Sequence, residues 1–241
     1  GLRGDLLCAN FNLRRISRHR LTRDGSTYSA DTSSFLESDQ SDFHPTDVIE
    51  DADGSLLVAD TGSWYMICCP TSKVAKPHVL GALYRLQKKD PAAPKDPRGL
   101  ELDWTQPSVA WLSDARPEVV KRAIGVLANE DNIDDLRSAK ARLPALWTLH
   151  RIPGGPARKA VRTFLNDERS DVRAAALHSV GLWRDPAAVE VLIGLLAGGD
   201  APQSRLAAMA LGRIGDRRAV AALLEAGSGD LDAFLRRAVI Y

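Results

Sequence analysis

Only three cysteines occur in the 241 residues, Cys8, Cys68 and Cys69, and no C-x-x-C spacing joins any of them. Zinc ribbons, iron–sulfur ligand runs and C-x-x-C-H haem attachment are thereby excluded from this stretch of sequence. There is no apolar run near the ~20 residues that a membrane-spanning helix needs. P-loop, nucleophile-elbow and dinucleotide-binding glycine motifs are absent. "DADG" is too short for a calcium loop, because the later ligand positions and the closing Glu are missing. Net charge is scarce as well: 32 Lys and Arg face 31 Asp and Glu, leaving +1. Neither nucleic acid nor an anionic membrane surface is indicated by that balance.

Charge is nonetheless unevenly placed. Arg14, Arg15, Arg18, Arg20 and Arg23 crowd one short stretch, and from Asp31 to Asp60 every charged residue is acidic. Without aromatic residues interleaved among the arginines, the expectation is two solvated faces that attract each other across a sheet, with no nucleic-acid partner.

Residues 1–89 read as antiparallel β. "LLCANF", "RRISRHRL" and "LLVAD" are short β-type runs bounded by Gly, Asp, Asn or Ser. "TRDGST" and "DADGS" each carry Asp-Gly, a hairpin signal because these turns need positive φ. "GALYRLQKK" sets Leu83 and Leu86 among polar residues as a further strand. Pro91, Pro94 and Pro97 then interrupt both periodicities, so residues 90–103 are expected to be an extended linker.

Beyond the linker, over residues 104–241, the sequence repeats. "DVRAAALHSVGLWRDPAAVEVLIGLL" is echoed by "QSRLAAMALGRIGDRRAVAALLEA", with Asp185 and Asp216 31 residues apart and Arg173 and Arg205 32 apart. "ARLPALWTLHRI" gives an earlier copy with Arg142, 31 residues before Arg173. Matching on the arginines sets Leu146, Leu177 and Met209 in one place. Two amphipathic helices per period describe an α-solenoid, because one helix pair cannot bury its apolar face alone. Leu177, Leu182, Leu192, Leu195, Leu206, Leu211 and Leu223 are expected between the layers. Asp185-Pro186 is read as a cap with Pro at the first helical position, and the Gly of "GRIGD" as a helix end. A short or missing helix is expected near "NEDNIDDLRS". The fold class is therefore α+β and multidomain, an antiparallel β part followed by an all-α repeat.

The repeats resemble short bacterial HEAT repeats. The stretch from Phe43 to Pro70, with its Pro, Asp-Gly and Leu-Leu-Val-Ala-Asp, resembles the end of the β-propeller in large haem-binding, membrane-bound dehydrogenase proteins of planctomycetes. Such a family implies a sugar- or alcohol-dehydrogenase-like propeller, HEAT repeats and a cytochrome-like domain. It also implies an extracytoplasmic location and haem c or a quinone in the parent protein, with no cofactor in this stretch. Residues 1–89 can supply only one or two blades, so the expectation is a piece of a longer polypeptide with a sheet edge left open. A protein partner or neighbouring domain would be met through the HEAT surface. The other reading is a non-catalytic HEAT scaffold.

No catalytic residue can be named, and no metal site is expected. The low-ranking cofactor-site candidates are Cys68, Cys69, Trp64, His44 and Asp47. Cys68 and Cys69 are either ordinary packed thiols or a vicinal disulfide ring. Some quinone-dependent propeller enzymes carry such a ring, and it would make Trp64–Thr71 a tight turn. His44 and Asp47 either line a propeller mouth or fix a strand entry through side-chain-to-backbone hydrogen bonds. His150 and His178 are read as packing or surface residues of the repeats.

Overall fold

A computed structural model describes residues 2, 4–66, 73–76, 78–89, 94–198 and 200–241, with backbone alone at 64–66 and 73–75. The chain divides into two compact units, Gly1–Arg23 with Tyr28–Pro97, and Asp24–Thr27 with Arg98–Tyr241. The division between Pro97 and Arg98 falls inside the span expected as a linker.

The first unit is built from antiparallel strands. β1 (Leu6–Asn10) pairs with β2 (Arg15–Asp24), which is joined to β3 (Thr27–Glu37) through Gly25 at φ +55°. β4 (Pro45–Glu50) pairs with β5 (Leu56–Asp60), and β5 with β8 (Ala82–Leu86); β6 (Trp64–Met66) and β7 (Lys73–Ala75) form a separate hairpin. Both Asp-Gly signals mark turns as expected, the second with Gly54 at φ +77°, a conformation that favours glycine. No sheet among the described residues is closed. The core is small: Ile16, Phe43 and Val58 are buried, with Leu7, Phe35, Leu36, Val48 and Leu86 packed around them.

The structure adds detail to three of these readings. Trp64–Met66 is strand, and the rest of the Trp64–Thr71 turn that a vicinal ring would impose lies outside the described residues. Leu83 is 78% exposed while Leu86 packs on the core, because strand residues three apart point to opposite faces. Between the arginine run and the acidic stretch Arg20 pairs with Asp31 at 3.7 Å, and Arg18 pairs with Asp5 outside that stretch.

The second unit is helical. A 3₁₀ turn, Val109–Ser113, precedes α1 (Pro117–Val126), α2 (Ile133–Ser138), α3 (Arg142–Arg151), α4 (Gly155–Thr163) and α5 (Ser170–Leu182). α6 (Val189–Ala197), α7 (Ala201–Ile214), α8 (Val220–Gly227) and α9 (Ala233–Ile240) follow. The odd-numbered helices pack in succession, α1 on α3, α3 on α5, α5 on α7 and α7 on α9. On the other side α2 packs on α4 and α6 on α8. As expected, "NEDNIDDLRS" gives only a 3₁₀ turn and the six-residue α2.

Local chemistry sets the helix boundaries. Asp114, Asp167 and Asp216 each accept from the backbone N–H of the arginine two residues on, at 2.8, 3.0 and 2.9 Å. These bonds satisfy donors that a helix start leaves open. Asp185 caps the 3₁₀ turn Pro186–Ala188 leading into α6, with Pro186 in its first turn. Gly215 ends α7 at φ +71°. Within the stack, alanines permit close approach: a Cβ added at Gly181 would lie 3.1 Å from Ala210. Leu146, Leu149, Leu177, Leu192 and Leu211 are fully buried, each contributing about 1.5–3 kcal/mol of transfer free energy.

Burial also corrects the repeat register. Leu177 is fully buried, whereas Met209 is 38% exposed and Ala208 is buried. The third copy therefore follows at 31 residues, not the 32 obtained by matching arginines. Leu177 corresponds to Ala208, and Val180 to Leu211. Arg205 takes the place of Ala174, not of Arg173. Leu182, expected between the layers, is 48% exposed, while Leu195, Leu206 and Leu223 are partly buried against the core.

Candidate interaction face of the helical repeats

The candidates named from sequence do not assemble among the described residues. Cys68 and Cys69 lie outside them, and of Trp64 only the backbone is described. His44 is buried; its Nδ1 lies 2.8 Å from the Gly62 carbonyl oxygen and its ring packs on Phe11 at 4.6 Å. The His44 N–H donates to Asp60 Oδ1 at 2.8 Å, and the Gly62 N–H donates to the same oxygen at 2.9 Å. His44 is thus bound into the entry of β4. Asp47 is exposed and accepts from the Val48 N–H. Cys8 is an exposed thiol on β1. No group of three His, Cys, Asp or Glu among the described residues could hold a metal ion. None of the described helices is long and apolar enough to cross a membrane.

A different arrangement emerges on the odd helices. At the corrected period, Trp147, His178, Met209 and Ile240 occupy equivalent positions in α3, α5, α7 and α9, half-buried at Trp147 and exposed at the others. Arg151, Leu182 and Arg213, all exposed, form a second row one turn on. These four helices contain seven arginines and one acid, Asp171, and Asp171 is paired with Arg169 at 2.6 Å. Arg151, Arg213, Arg236 and Arg237 are exposed, whereas Arg142 and Arg173 are taken up by partners within the repeats, so the exposed charge of these helices is mainly basic although the whole chain is nearly neutral.

At the α3–α5 end, aromatic and cationic groups stack. The His150 ring lies on Trp183 at 4.9 Å and 15°, and Trp147 meets both His150 and His178 edge-on at 6.0 and 6.3 Å. Arg158 sits 5.6 Å above Trp183, and His150 Nδ1 is 2.8 Å from Ser179 Oγ. Burial, followed by the positive fields of His178 and Arg151, lowers the His150 pKa below its ordinary value, so its ring is neutral at pH 7.

Below these layers, ion pairs lock neighbouring turns together. Arg142 Nε donates to Asp167 at 2.8 Å and lies over Phe164 at 4.1 Å, and Arg162 pairs with the buried Asp185 at 2.5 Å. Arg173 donates to Gln203 at 3.0 Å and to the Asp167 and Glu168 carbonyls.

Between α7 and α9 the surface hollows into a groove of about 480 Å³, lined by Arg205, Met209, Arg213, Phe234, Arg237 and Tyr241 with the small Gly212 and Ala238. Residues 158–241 match HEAT repeats. The HEAT match takes in most of α4 and all of α5–α9, and so both rows from His178 onward. No curated protein matches the chain.

Reasoning from sequence missed the stacked cluster and the groove. The signal available for them was the 31-residue recurrence of Trp147, His178 and Met209 at the one position that varies in chemistry between buried neighbours.

Proposed function

We propose that the helical region is a non-catalytic HEAT-repeat scaffold that binds a protein partner through the outer face of α3, α5, α7 and α9. The observation that carries this reading is the basic and apolar character of those helices: four exposed arginines against one acid, with a row in which Trp147 is half-buried and His178 and Met209 are exposed. Aromatic, Met and Arg side chains are enriched at protein interfaces and depleted in ordinary solvated faces. Site-specific photo-crosslinkers at positions 178 and 209, compared with position 190 on α6, test it in an extract of the source cells. A discrete adduct from 178 and 209 but not from 190 is expected. Equal labelling from all three positions would refute the assignment of this face.

We propose further that the first unit is the end of a β-propeller in a longer extracytoplasmic polypeptide that oxidises a sugar or alcohol. A haem c or quinone would then be carried outside this stretch. What supports this is the resemblance of Phe43–Pro70 and the order of β structure before HEAT repeats. The antiparallel arrangement of β4, β5 and β8 is the kind of sheet a blade requires. Reading the open frame on both sides, with haem staining and dye reduction by the intact protein, tests it. A frame without further blades or C-x-x-C-H would overturn it.

A further inference from the structure

The geometry points to the α7–α9 groove as a docking site for an acidic peptide segment carrying one apolar anchor residue. This rests on the reading of the odd-helix face as the interacting one and assigns the partner's chemistry. The groove is bounded by three arginines, Arg205, Arg213 and Arg237, and no acidic side chain lines it. Its lining is apolar between the arginines, with Met209 and Phe234 exposed by 38% and 54%. A cleft of about 480 Å³ accepts one or two side chains and is too small for a folded domain.

Arg205 adds a second reason. The one-residue shift in register that brings it to the place of Ala174 removes it from the contacts Arg173 makes with Gln203 and the preceding carbonyls. Among the described residues no acceptor reaches its buried Nε. A buried donor left open costs free energy, and the Arg205 side chain lines the groove, where its guanidinium can meet a ligand carboxylate. Carboxylates set around an apolar side chain complement this lining, the arginines giving orientation and the pocket giving the anchor.

Single-stranded nucleic acid fits less well. Nucleic-acid binding of that kind uses open aromatic faces as stacking platforms. On this face the Trp183 ring stacks on His150 and has Arg158 5.6 Å from its centroid, and Arg237 lies 5.9 Å from the centroid of the Tyr241 ring. The Trp183 ring is thus already stacked within the chain.

The test is fluorescence anisotropy on the full chain with a labelled nonapeptide of alternating Glu and Asp around a central Leu. Two controls replace that Leu by Ser or every acid by Lys, and oligothymidylate is titrated in parallel. Binding of the Leu peptide is expected, about tenfold weaker with Ser, and absent with Lys. Arg213→Glu with Arg237→Glu, and separately Met209→Glu, should each weaken it by about tenfold or more, with the circular dichroism spectrum and melting temperature confirming an intact fold. No binding, equal binding of the Ser peptide, or tighter binding of oligothymidylate overturns the proposal. Binding lost with Arg151→Glu but retained with the Arg213 and Arg237 reversals would overturn the groove and leave the face assignment standing. Peptide binding indifferent to all of these reversals overturns both.

Discussion

Replacing Leu177 and Leu182 separately by Ala applies the same chemical change twice on one helix, five residues apart. Leu177 is fully buried between α5 and its neighbours, whereas Leu182 is 48% exposed. Each substitution removes about three methylene equivalents, worth ~0.8 kcal/mol apiece when wholly buried, or ~2.4 kcal/mol for transfer alone. At Leu177 the packed surroundings leave a cavity, raising the expected loss to about 3–4 kcal/mol. At Leu182 about half the transfer term applies with no enclosed cavity, and the better helix propensity of Ala offsets part of it, leaving about 1 kcal/mol or less. Urea unfolding followed by far-UV circular dichroism reads the helical unit, and the slopes should match if only native-state stability changed. Repeats couple mainly to their neighbours, so a weakened α5 should lower the midpoint of the helical transition as a whole. A difference between the two variants below about 0.5 kcal/mol would refute the burial assignment and the 31-residue register built on it.

Gly62→Ala should unfold the β unit at lower temperature, by about 1–3 kcal/mol, because Gly62 holds φ +62° and a new Cβ would lie 2.7 Å from the Leu80 carbonyl oxygen; an unchanged melting temperature would refute that approach. Asp185→Ala removes both the cap of the turn before α6 and the partner of Arg162, and a loss of about 1–3 kcal/mol in chemical unfolding is expected. Asp216 is held at a pKa of about 2 by the hydrogen bond from the Arg218 guanidinium, with help from its backbone N–H. Its folded pKa is depressed, so its contribution is fully present above the unfolded value of about 4 and is lost as pH falls through about 2. Asp216→Asn should therefore be less stable than the parent at pH 7, with the gap closing only below about pH 4; a gap that stays constant down to pH 2 would show that the carboxylate charge is not responsible. Neutral His150 predicts that stacking on Trp183 persists at pH 7 and weakens only after the ring protonates on acidification, which histidine NMR titration reads directly; a His150 titration midpoint at or above the ordinary histidine value would refute it.

Local chemistry in the sequence determined a good deal. The Asp-Gly turns, the Asp caps, the Gly215 helix end, the short α2 and the change from β to a helical repeat all follow from residues a few positions apart, so their signals survive without the fold. The existence of HEAT-like repetition was equally legible, because each copy must present an apolar face to the next. For the third copy the sequence offered two registers, 31 residues from the aspartates and 32 from the arginines, and the tertiary structure decided between them. Arginine identity pointed to 32 residues, yet burial requires 31, since one step around a helix turns a side chain by about 100° and exchanges core for solvent. That single step exposes Met209, displaces Arg205 from the contacts of Arg173 and leaves its Nε without an acceptor among the described residues. The stacked Trp147, His150, His178 and Trp183 and the groove between α7 and α9 likewise exist only where helices far apart in sequence lie side by side. His44 shows the same division in the β unit: its sequence neighbours allow either a ligand or an anchor, and the fold brings the Gly62 carbonyl, 18 residues on, to its ring nitrogen.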